Sequence, residues 1–390
     1  MDPTPGRRYA ASLSRHPVPA HSVGEAAGEI LEAFGGDDPD LLVCFVSPHF
    51  AGASDDIAHA LSGILDPAVL LGMTAIGVTG GEREVEDAPA ISMFAASLPG
   101  AAVTPVALPP DPAHAGDVAP LPDGVPEGAA LVLLADPYSV AVDRVLADWA
   151  VTHPGLTVIG GAASSAQGPG GNRLFLAAAG DPPQLAVRTD GAVGVLLDGV
   201  PVRTVVSQGC RPLGSPFVVT RGGGNRIEEL GGRPPLERLQ ECAADATADD
   251  LELLQRGLFL GFVVDEHRPE FGRGDFLVRG VLGADPEGGA LVVGDRVEVG
   301  QTVQFHVRDA TAADEDLRAL LAGTDAAGAL LFTCNGRGRA FFGVPDHDAG
   351  LLDRLLGPLP SAGAFCAGEF GPVGGRNFLH SYTASVALLG

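Results

Sequence analysis

One structural unit is repeated three times in this sequence, and this repetition constrains the fold more than any single motif does. In each copy an apolar strand is followed by an amphipathic helix, a proline break and a glycine-containing strand. In the first copy Ile57, Leu61 and Leu65 form the apolar stripe of a helix that packs on a sheet. The copies cover residues 41–78, 131–164 and 330–368. The sequence therefore predicts three related strand–helix–strand units.

The stretch between the second and third copies is rich in short β-strand patterns. Residues 192–197 and 202–207 are separated by a turn at Asp198, which predicts a hairpin. Residues 233–256 predict a helical connection, in which Thr247 and the acidic residues after it mark a helix start.

The whole pattern predicts an α/β (α+β) fold class. We expect two similar lobes of mixed or antiparallel sheets, built from the repeated units, with helices packed on the outside. We place the division between the lobes near Gly231-Gly232, and interpret the proline- and glycine-rich tract at 109–126 as a loop. The predicted parts are an N-terminal lead-in at 1–39, an N-terminal domain at 40–232 and a C-terminal domain at 233–390.

Charge and composition exclude several classes of function. The formal net charge of -25 argues against nucleic acid or an anionic membrane as a partner, because both require a basic surface. All 24 basic residues are arginine, since the sequence contains no lysine. This excludes Schiff-base chemistry, pyridoxal-phosphate attachment and a Walker-type phosphate loop, each of which needs the lysine ammonium group. Anion recognition therefore falls to arginine.

The remaining sequence signals favour a cytoplasmic binding protein. The five cysteines are odd in number and form no C-x-x-C pair, so neither a disulfide framework nor a structural metal site is predicted. We find no secretory signal pattern, and no apolar stretch approaches the roughly 20 residues that span a bilayer. The motifs of dinucleotide-binding folds, zinc proteases and serine hydrolases are absent as well. We therefore expect a cytoplasmic protein with reduced thiols, and an enzyme is the less favoured interpretation.

Two tracts near the C-terminus concentrate side chains that are typical of binding sites. Both follow apolar strands, and their glycines would let a ligand approach the backbone. The first tract contains Cys334, Asn335, Arg337 and Arg339, and the second contains Glu369, Asn377 and His380. Together they predict a ligand site at the strand ends, where the glycine-rich strands of the three copies converge.

Several tracts, in their order and spacing, resemble the FIST family, the sensory module shared by F-box and intracellular signal-transduction proteins. The N-terminal region of the family is similar to residues 72–77, 82–86 and 205–214. The C-terminal region is similar to residues 305–310 and to the two tracts described above. The resemblance extends from about Asp40 to Leu389.

This resemblance implies a small-ligand sensor of the stand-alone bacterial type, with an amino acid among the suggested ligands. Because no segment resembles an F-box, a kinase or a cyclase, it also implies a separate output protein as partner.

Residue types suggest roles within the predicted site. Arg337 could bind a carboxylate bidentately beside Asn335, and the alternative is a capping arginine at the surface. Arg337→Ala would then weaken binding, whereas a sharp fall in melting temperature would identify a structural arginine. Glu369 could hold an ammonium group, and the alternative is an internal ion pair with a site arginine. The other candidate ligand contacts are Cys334, Arg339, Asn377, His380, Gly160, Gly161, Ser207, Gln208, Arg211 and Arg308.

Two other functions stay open. Some bacterial relatives bind haem and sense nitric oxide, so His380 would be the axial ligand in a haem sensor. Such a protein would show a Soret band that His380→Ala removes. An enzyme that uses Cys334 or Glu369 is the other alternative. Cys334 and Cys366 become neighbours if the repeat places their strands side by side, although buried and unreactive cysteines are the favoured interpretation. The leading hypothesis needs no cofactor.

Overall fold

The computed structural model describes residues 6–110, 121–122, 124–180 and 184–390. Most of the loop predicted at 109–126 therefore lies outside the described residues. The chain divides into two compact units, and each is described by itself. The first unit contains the described residues up to Val206, together with 318–379 and 383–390, and the second contains 207–317 and 380–382.

Two complete repeats open the first unit. The elements of the first repeat are β1 (Arg8–Ser14), α1 (Pro19–Phe34), β2 (Leu41–Val46), α2 (Ser54–Leu65), β3 (Val69–Thr74), β4 (Val78–Gly80), β5 (Arg83–Val85) and β6 (Ile91–Ser97). The elements of the second repeat are β7 (Ala102–Leu108), β8 (Ala130–Ala135), α3 (Val142–Thr152), β9 (Thr157–Ala162), β10 (Leu174–Ala178), β11 (Gln184–Arg188) and β12 (Ala192–Asp198). The segment predicted as a lead-in thus supplies β1 and α1 to the first repeat.

The third repeat begins with β13 (Val202–Gln208) and is then interrupted by a long insertion. The elements of the insertion are β14 (Cys210–Gly223), β15 (Arg226–Leu230), α4 (Pro235–Ala244), α5 (Ala248–Arg256), β16 (Phe259–Val263), β17 (Phe276–Ala284), β18 (Leu291–Val293) and β19 (Thr302–Arg308). The third repeat then continues with α6 (Ala310–Leu321), β20 (Gly328–Cys334), α7 (Arg339–Phe342), α8 (His347–Leu356), β21 (Ser361–Cys366), β22 (Glu369–Val373), β23 (Arg376–His380) and β24 (Thr383–Leu389).

The three sheets built from the repeats share one strand order. They run β1-β6-β2-β3-β10-β11, β7-β12-β8-β9-β22-β23 and β13-β24-β20-β21-β4-β5. In each sheet the third and fourth strands are parallel and are connected through α2, α3 or α8. The second strand of each sheet pairs antiparallel with the third. The three predicted strand–helix–strand units are therefore confirmed.

The last two strands of every sheet come from a different repeat. β10 of the second repeat pairs with β3 of the first, and β22 of the third repeat pairs with β9 of the second. β4 of the first repeat closes the cycle by pairing with β21 of the third. The repeats thus exchange hairpins cyclically, and no repeat completes a sheet from its own strands.

One face of each sheet contributes to a common apolar core. Alternate residues of β2, β8 and β20 meet there, and the rings of Phe45 and Phe332 pack edge to face with their centroids 5.8 Å apart. The opposite face of β2 is covered by α1 and α2, and that of β8 by α3. Because both faces are buried, these strands are continuous apolar runs in the sequence. The predicted fold class, mixed sheets with helices on the outside, is confirmed.

The second unit contains a closed barrel with the strand order β14-β15-β18-β17-β16-β19. Its apolar residues, among them Val219, Leu260 and Phe305, form a core separate from that of the sheets. The helical connection consists of two helices, α4 and α5, and the capping box between Thr247 and Asp250 confirms the predicted helix start. Gly231-Gly232 lies between β15 and α4, within this unit. The division of the chain into two domains at this point stays a prediction.

The predicted hairpin between residues 192–197 and 202–207 is wrong. Both strands exist, as β12 and β13, but β12 pairs with β7 and β8, while β13 belongs to the sheet of β24. The turn at Asp198 connects the second repeat to the third. Side-chain alternation identifies a strand but carries no information about which strand it pairs with.

A substitution at Gly160 tests how closely β8 and β9 approach each other. Its φ is 151°, and a Cβ atom there would lie 1.8 Å from the carbonyl oxygen of Leu133. We expect Gly160→Ala to lower the free energy of unfolding by about 3 kcal/mol, because overpacking and backbone strain each cost roughly 1–3 kcal/mol. Equilibrium unfolding in denaturant measures this change.

Gly28→Ala is the matched control. Gly28 lies in α1, and nothing stands within 4 Å of a Cβ atom built there. Alanine should therefore stabilise the helix by about 0.5–1 kcal/mol. Equal losses of stability in the two variants would contradict the close approach.

Candidate functional site

The carboxyl ends of β3, β9 and β21, one strand from each repeat, meet at Ser164. Its hydroxyl accepts a hydrogen bond from the backbone nitrogen of Ile76 at 2.9 Å and donates one to the carbonyl oxygen of Phe365 at 2.5 Å. These residues follow or end β3, β9 and β21, where the chain crosses to the neighbouring sheet. The strand ends converge here, as the sequence predicts.

Gly160 and Gly161 take part in the crossing itself. Gly160 pairs with Phe370 and Gly161 with Glu369 in the ladder between β9 and β22. A Cβ atom on Gly161 would lie 2.3 Å from the Sγ atom of Cys366. The space beside both glycines is therefore filled by protein atoms, and their contact with a ligand stays a prediction.

Arg337 is fully buried in an ion pair with Asp348. Its side chain is 0% exposed, its Nε donates to Oδ2 of Asp348 at 2.8 Å, and its Nη2 donates to Oδ1 at 2.9 Å. The two environments predicted for Arg337 are a loop open to an anionic ligand and a capping position at the surface. Its burial matches neither of them. Its third nitrogen, Nη1, has no hydrogen-bond partner among the residues that the structure describes. The guanidinium thus keeps one buried donor available.

Asp348 receives further partners from the strand and helix around it. The hydroxyl of Thr333 donates to its Oδ2 at 2.7 Å, and the Nδ1 of His347 lies 3.0 Å from its Oδ1. Phe342 stacks on the His347 ring with 3.4 Å between the centroids and also lies under the Arg337 guanidinium. Burial alone would raise the pKa of Asp348, but Arg337 and His347 lower it below its ordinary value, so this carboxylate stays ionised.

Glu84 adds a carboxyl group from the exchanged hairpin of the first repeat. Its Oε1 accepts a hydrogen bond from the backbone nitrogen of Ala349, at 3.0 Å, in the first turn of α8. Burial, and after it the charge of Asp348, raises the pKa of Glu84 to about 8. Its Oε2 has no partner within the described part of the chain. Burial and the charge of Asp348 thus favour the protonated form of Glu84 in the folded protein.

Glu369 and Cys334 act on Arg337 electrostatically. Burial lowers the pKa of Arg337, but the charge of Asp348 raises it above its ordinary value, and Cys334 and Glu369 act in the same direction. Glu369 is 0% exposed, and its Oε2 accepts hydrogen bonds from the nitrogen and the hydroxyl of Thr383, at 3.2 and 2.7 Å. Asn335 is exposed directly after Cys334. The structure thus brings together four of the predicted residues, Cys334, Asn335, Arg337 and Glu369.

Two other residues of the predicted site have different surroundings. Asn377 is buried, and its side chain accepts from the backbone nitrogen of Val158 at 2.9 Å and donates to the carbonyl of Leu156 at 2.7 Å. It therefore anchors the start of β9 to β23. Arg339 is exposed, and its backbone nitrogen donates to Glu86 at 2.8 Å. Ligand roles for both side chains stay predictions.

Arg211 belongs to the second unit and is held by two carboxylates. Its Nε lies 2.6 Å from Asp309 and its Nη2 lies 2.5 Å from Asp250. It lines an open cleft of about 440 Å³ together with Cys242 and Asp245. Because both ends of the guanidinium are already paired, this arginine mainly joins α5 to the barrel.

The remaining candidates also belong to the second unit. Gln208 donates from Nε2 to the carbonyl of Phe276 at 2.7 Å, and Ser207 beside it is fully buried. The guanidinium of Arg308 lies 5.1 Å from the centre of the Tyr382 ring. His380 is 2% exposed, so its ring has little free surface for an axial bond, and its burial lends no support to the haem alternative.

Sequence inspection missed Asp348, the ion-pair partner of Arg337, and the residues around this carboxylate. Asp348, His347, Thr333 and Glu84 were not recognised as site residues, because no sequence pattern assigns them a role there and Glu84 comes from another repeat. One signal was available for Asp348, which occupies the first turn of a predicted helix, two residues after a second acid, Asp346.

Comparison with known proteins identifies the family. Residues 40–233 match the FIST N domain, and residues 235–372 match the FIST C domain. This chain belongs to the FIST family. The resemblance seen in the sequence is thereby confirmed, and FIST domains are sensory modules of signal transduction.

Mycobacterial proteins are similar to this FIST protein over nearly their whole length. An uncharacterized protein of Mycobacterium tuberculosis is 43% identical, over 98% of this chain and 99% of its own. An uncharacterized protein of Mycobacterium bovis is 42% identical over 98% of each chain. In the part of the FIST protein that the structure describes, no helix is long and apolar enough to cross a membrane.

We expect Arg337→Ala to destabilise the FIST protein strongly. The substitution leaves Asp348 buried without its main counter-charge, which costs about 3–5 kcal/mol. Arg339→Ala, at an exposed arginine in the same segment, should change stability by less than about 0.5 kcal/mol. Denaturant unfolding of both variants compares them, and a small, equal effect would show that the ion pair is not a structural element.

Glu84 should make stability depend on pH. Its carboxyl group has an ordinary pKa of 4.5 in the unfolded chain and about 8 in the folded protein. Between these values the folded state binds the extra proton, so its contribution to stability is present at low pH and is lost as the pH rises towards 8. Glu84→Gln should therefore reduce the fall in melting temperature between about pH 6 and about pH 9, by about 2 °C or more.

Glu82→Gln is the control for this titration. Glu82 lies two residues away, and its side chain is 64% exposed. Its removal should leave the pH dependence of the melting temperature unchanged. If the two variants gave identical pH profiles, the protonation of Glu84 would not contribute to stability.

Proposed function

We propose that this FIST protein senses a small polar metabolite, such as an amino acid, at the cluster formed by Arg337, Glu369, Cys334 and Asn335. The signal would pass to a separate output protein. The observation that carries this proposal is the buried Nη1 of Arg337, which has no acceptor among the described residues.

The hydrogen-bonding state of Arg337 favours an oxygen ligand. Asp348 occupies Nε and Nη2, so the guanidinium is oriented rigidly before any ligand arrives. A buried donor without an acceptor costs about 1–3 kcal/mol. An oxygen of a ligand carboxylate at Nη1 would recover this free energy and would form a charge-assisted hydrogen bond.

The charges around Arg337 favour a ligand that also carries a positive group. Asp348 already neutralises the guanidinium, and the charge of Glu369 also acts on it. An anion alone would add negative charge to this cluster. A zwitterion avoids this, because its ammonium group would lie near Glu369 while its carboxylate meets Nη1. The exposed residues Asn335 and Ala367 mark the side from which a ligand would enter.

The position of the cluster is consistent with a sensory role. Arg337 and Asp348 belong to the third repeat, Glu84 belongs to the exchanged hairpin of the first, and Glu369 pairs with β9 of the second. A ligand bound here would act on all three repeats where their strands cross. Its binding free energy could therefore shift the packing of the whole first unit.

Thermal shift with a panel of amino acids and organic acids tests the proposal. We expect one class of zwitterionic compound to raise the melting temperature, and calorimetry should then give its affinity. Glu369→Gln keeps the acceptor for Thr383 but removes the charge, so affinity should fall about tenfold or more. Glu29→Gln, at an exposed glutamate of α1, should bind as the unchanged protein does.

Three outcomes would contradict the proposal. One is a panel in which no compound shifts the melting temperature, and another is a ligand that binds equally well to Glu369→Gln. A Soret band in the purified protein that Glu369→Gln leaves intact and His380→Ala removes would favour the haem alternative instead.

A further inference from the structure

Two of the five cysteines lie opposite each other on neighbouring strands. β20 and β21 are parallel, and Cys334 is the register partner of Cys366 at the last paired position. Adjacent strands lie about 4.8 Å apart, which is within the roughly 4.4–6.8 Å between Cα atoms that a disulfide bridges. Side chains paired across strands project from the same face of the sheet. The backbone already places these two thiols as neighbours.

The other cysteines have no such arrangement. Cys44 lies opposite Gly72 on one side and Met93 on the other, and Cys210 lies opposite Arg308. Cys242 lies on α4. Of the five cysteines, the strand register therefore places one pair opposite each other, Cys334 and Cys366.

The surroundings of the paired thiols differ. Cys334 is 7% exposed and is followed by the exposed Asn335, whereas Cys366 is fully buried. The guanidinium of Arg337 lies near enough to Cys334 for the charges of the two groups to interact. Burial, with the charges of Glu369 and Cys334, raises the pKa of Cys366 well above its ordinary value. Cys334 is thus the thiol that reacts first and Cys366 is its resolving partner.

We propose that Cys334 and Cys366 are a peroxide-sensitive modification site that closes to a reversible disulfide. The sulfur of Cys334 attacks one oxygen of hydrogen peroxide, the O–O bond breaks, and a sulfenic acid and one water form. The sulfur of Cys366 then attacks the sulfur of Cys334, the S–O bond breaks, and the thiol proton leaves with the hydroxide as a second water. Each sulfur loses one electron and the peroxide gains two.

This inference does not depend on the proposed ligand. The disulfide would connect the carboxyl ends of β20 and β21, from which the Arg337 segment and the Glu369 strand leave. In the oxidised protein, the disulfide would therefore fix the relative positions of the two strand ends that carry the candidate site.

Peptide mapping of the full chain tests the proposal. The native protein is treated with hydrogen peroxide, alkylated in denaturant and digested with trypsin, which cleaves only after arginine because the chain has no lysine. Cys334 and Cys366 are then the single cysteines of the peptides 319–337 and 355–376. We expect these peptides to appear linked, two hydrogens lighter than their sum, and to separate after reduction with dithiothreitol. The number of titratable thiols should fall from five to three, because the disulfide consumes two.

The control is Cys242→Ser, which removes a cysteine of nearly the same exposure, 8%, from the second unit. This variant should form the linked peptide as the unchanged protein does, whereas Cys334→Ser, Cys366→Ser and Cys366→Ala should not. Peroxide-treated protein without the linked peptide would overturn the proposal. So would linkage that involves other cysteines, or linkage that appears only when the oxidation is done in denaturant. These outcomes are independent of any amino-acid binding.

Discussion

The cyclic exchange of hairpins is the constraint on which the rest of the first unit depends. Within each repeat the second strand of the parallel pair, β3, β9 or β21, has an open edge, and the partner of that edge comes from another repeat. An unpaired edge in a buried sheet would leave backbone groups without hydrogen bonds. Each repeat therefore needs both of the others, and we expect the three to fold as one cooperative body. The pairings join residues far apart in the chain, which is typical of slow folding.

The same exchange creates the polar cluster. A chain that crosses between sheets must satisfy its backbone groups at the crossing, and Ser164 does so for two repeats at once. The ion pair of Arg337 and Asp348 is buried at a desolvation cost that Coulomb attraction alone rarely offsets. Thr333 and His347 complete the contacts of the carboxylate. We interpret this pair as an element that orients the segment after β20, since such pairs define a geometry more than they add stability.

The family's two regions and the structural repeats divide the chain differently. The FIST N match ends at residue 233, within the second unit, and therefore includes the first strand of the third repeat and part of the barrel. The FIST C match contains the rest of the barrel and most of the third repeat. A barrel inserted between β13 and α6 explains this, because it splits one repeat across the two family regions. This chain thus contains a threefold set of sheets and one barrel.

Local patterns in the sequence determined many of the strands and helices after residue 39, the three repeats and the apolar runs of the core. They determined these features because side-chain periodicity and proline or glycine breaks act over a few residues. The sequence also pointed to Arg337, Glu369 and Cys334, since rare polar side chains after apolar strands stand out without any alignment. The tertiary structure alone decided which repeat completes which sheet, and it alone placed Glu84 beside Asp348. It also showed that Asn377 and Arg211 are engaged by neighbouring protein groups. Pairing between distant strands depends on shape and registry across the whole core, and a linear pattern contains no record of that.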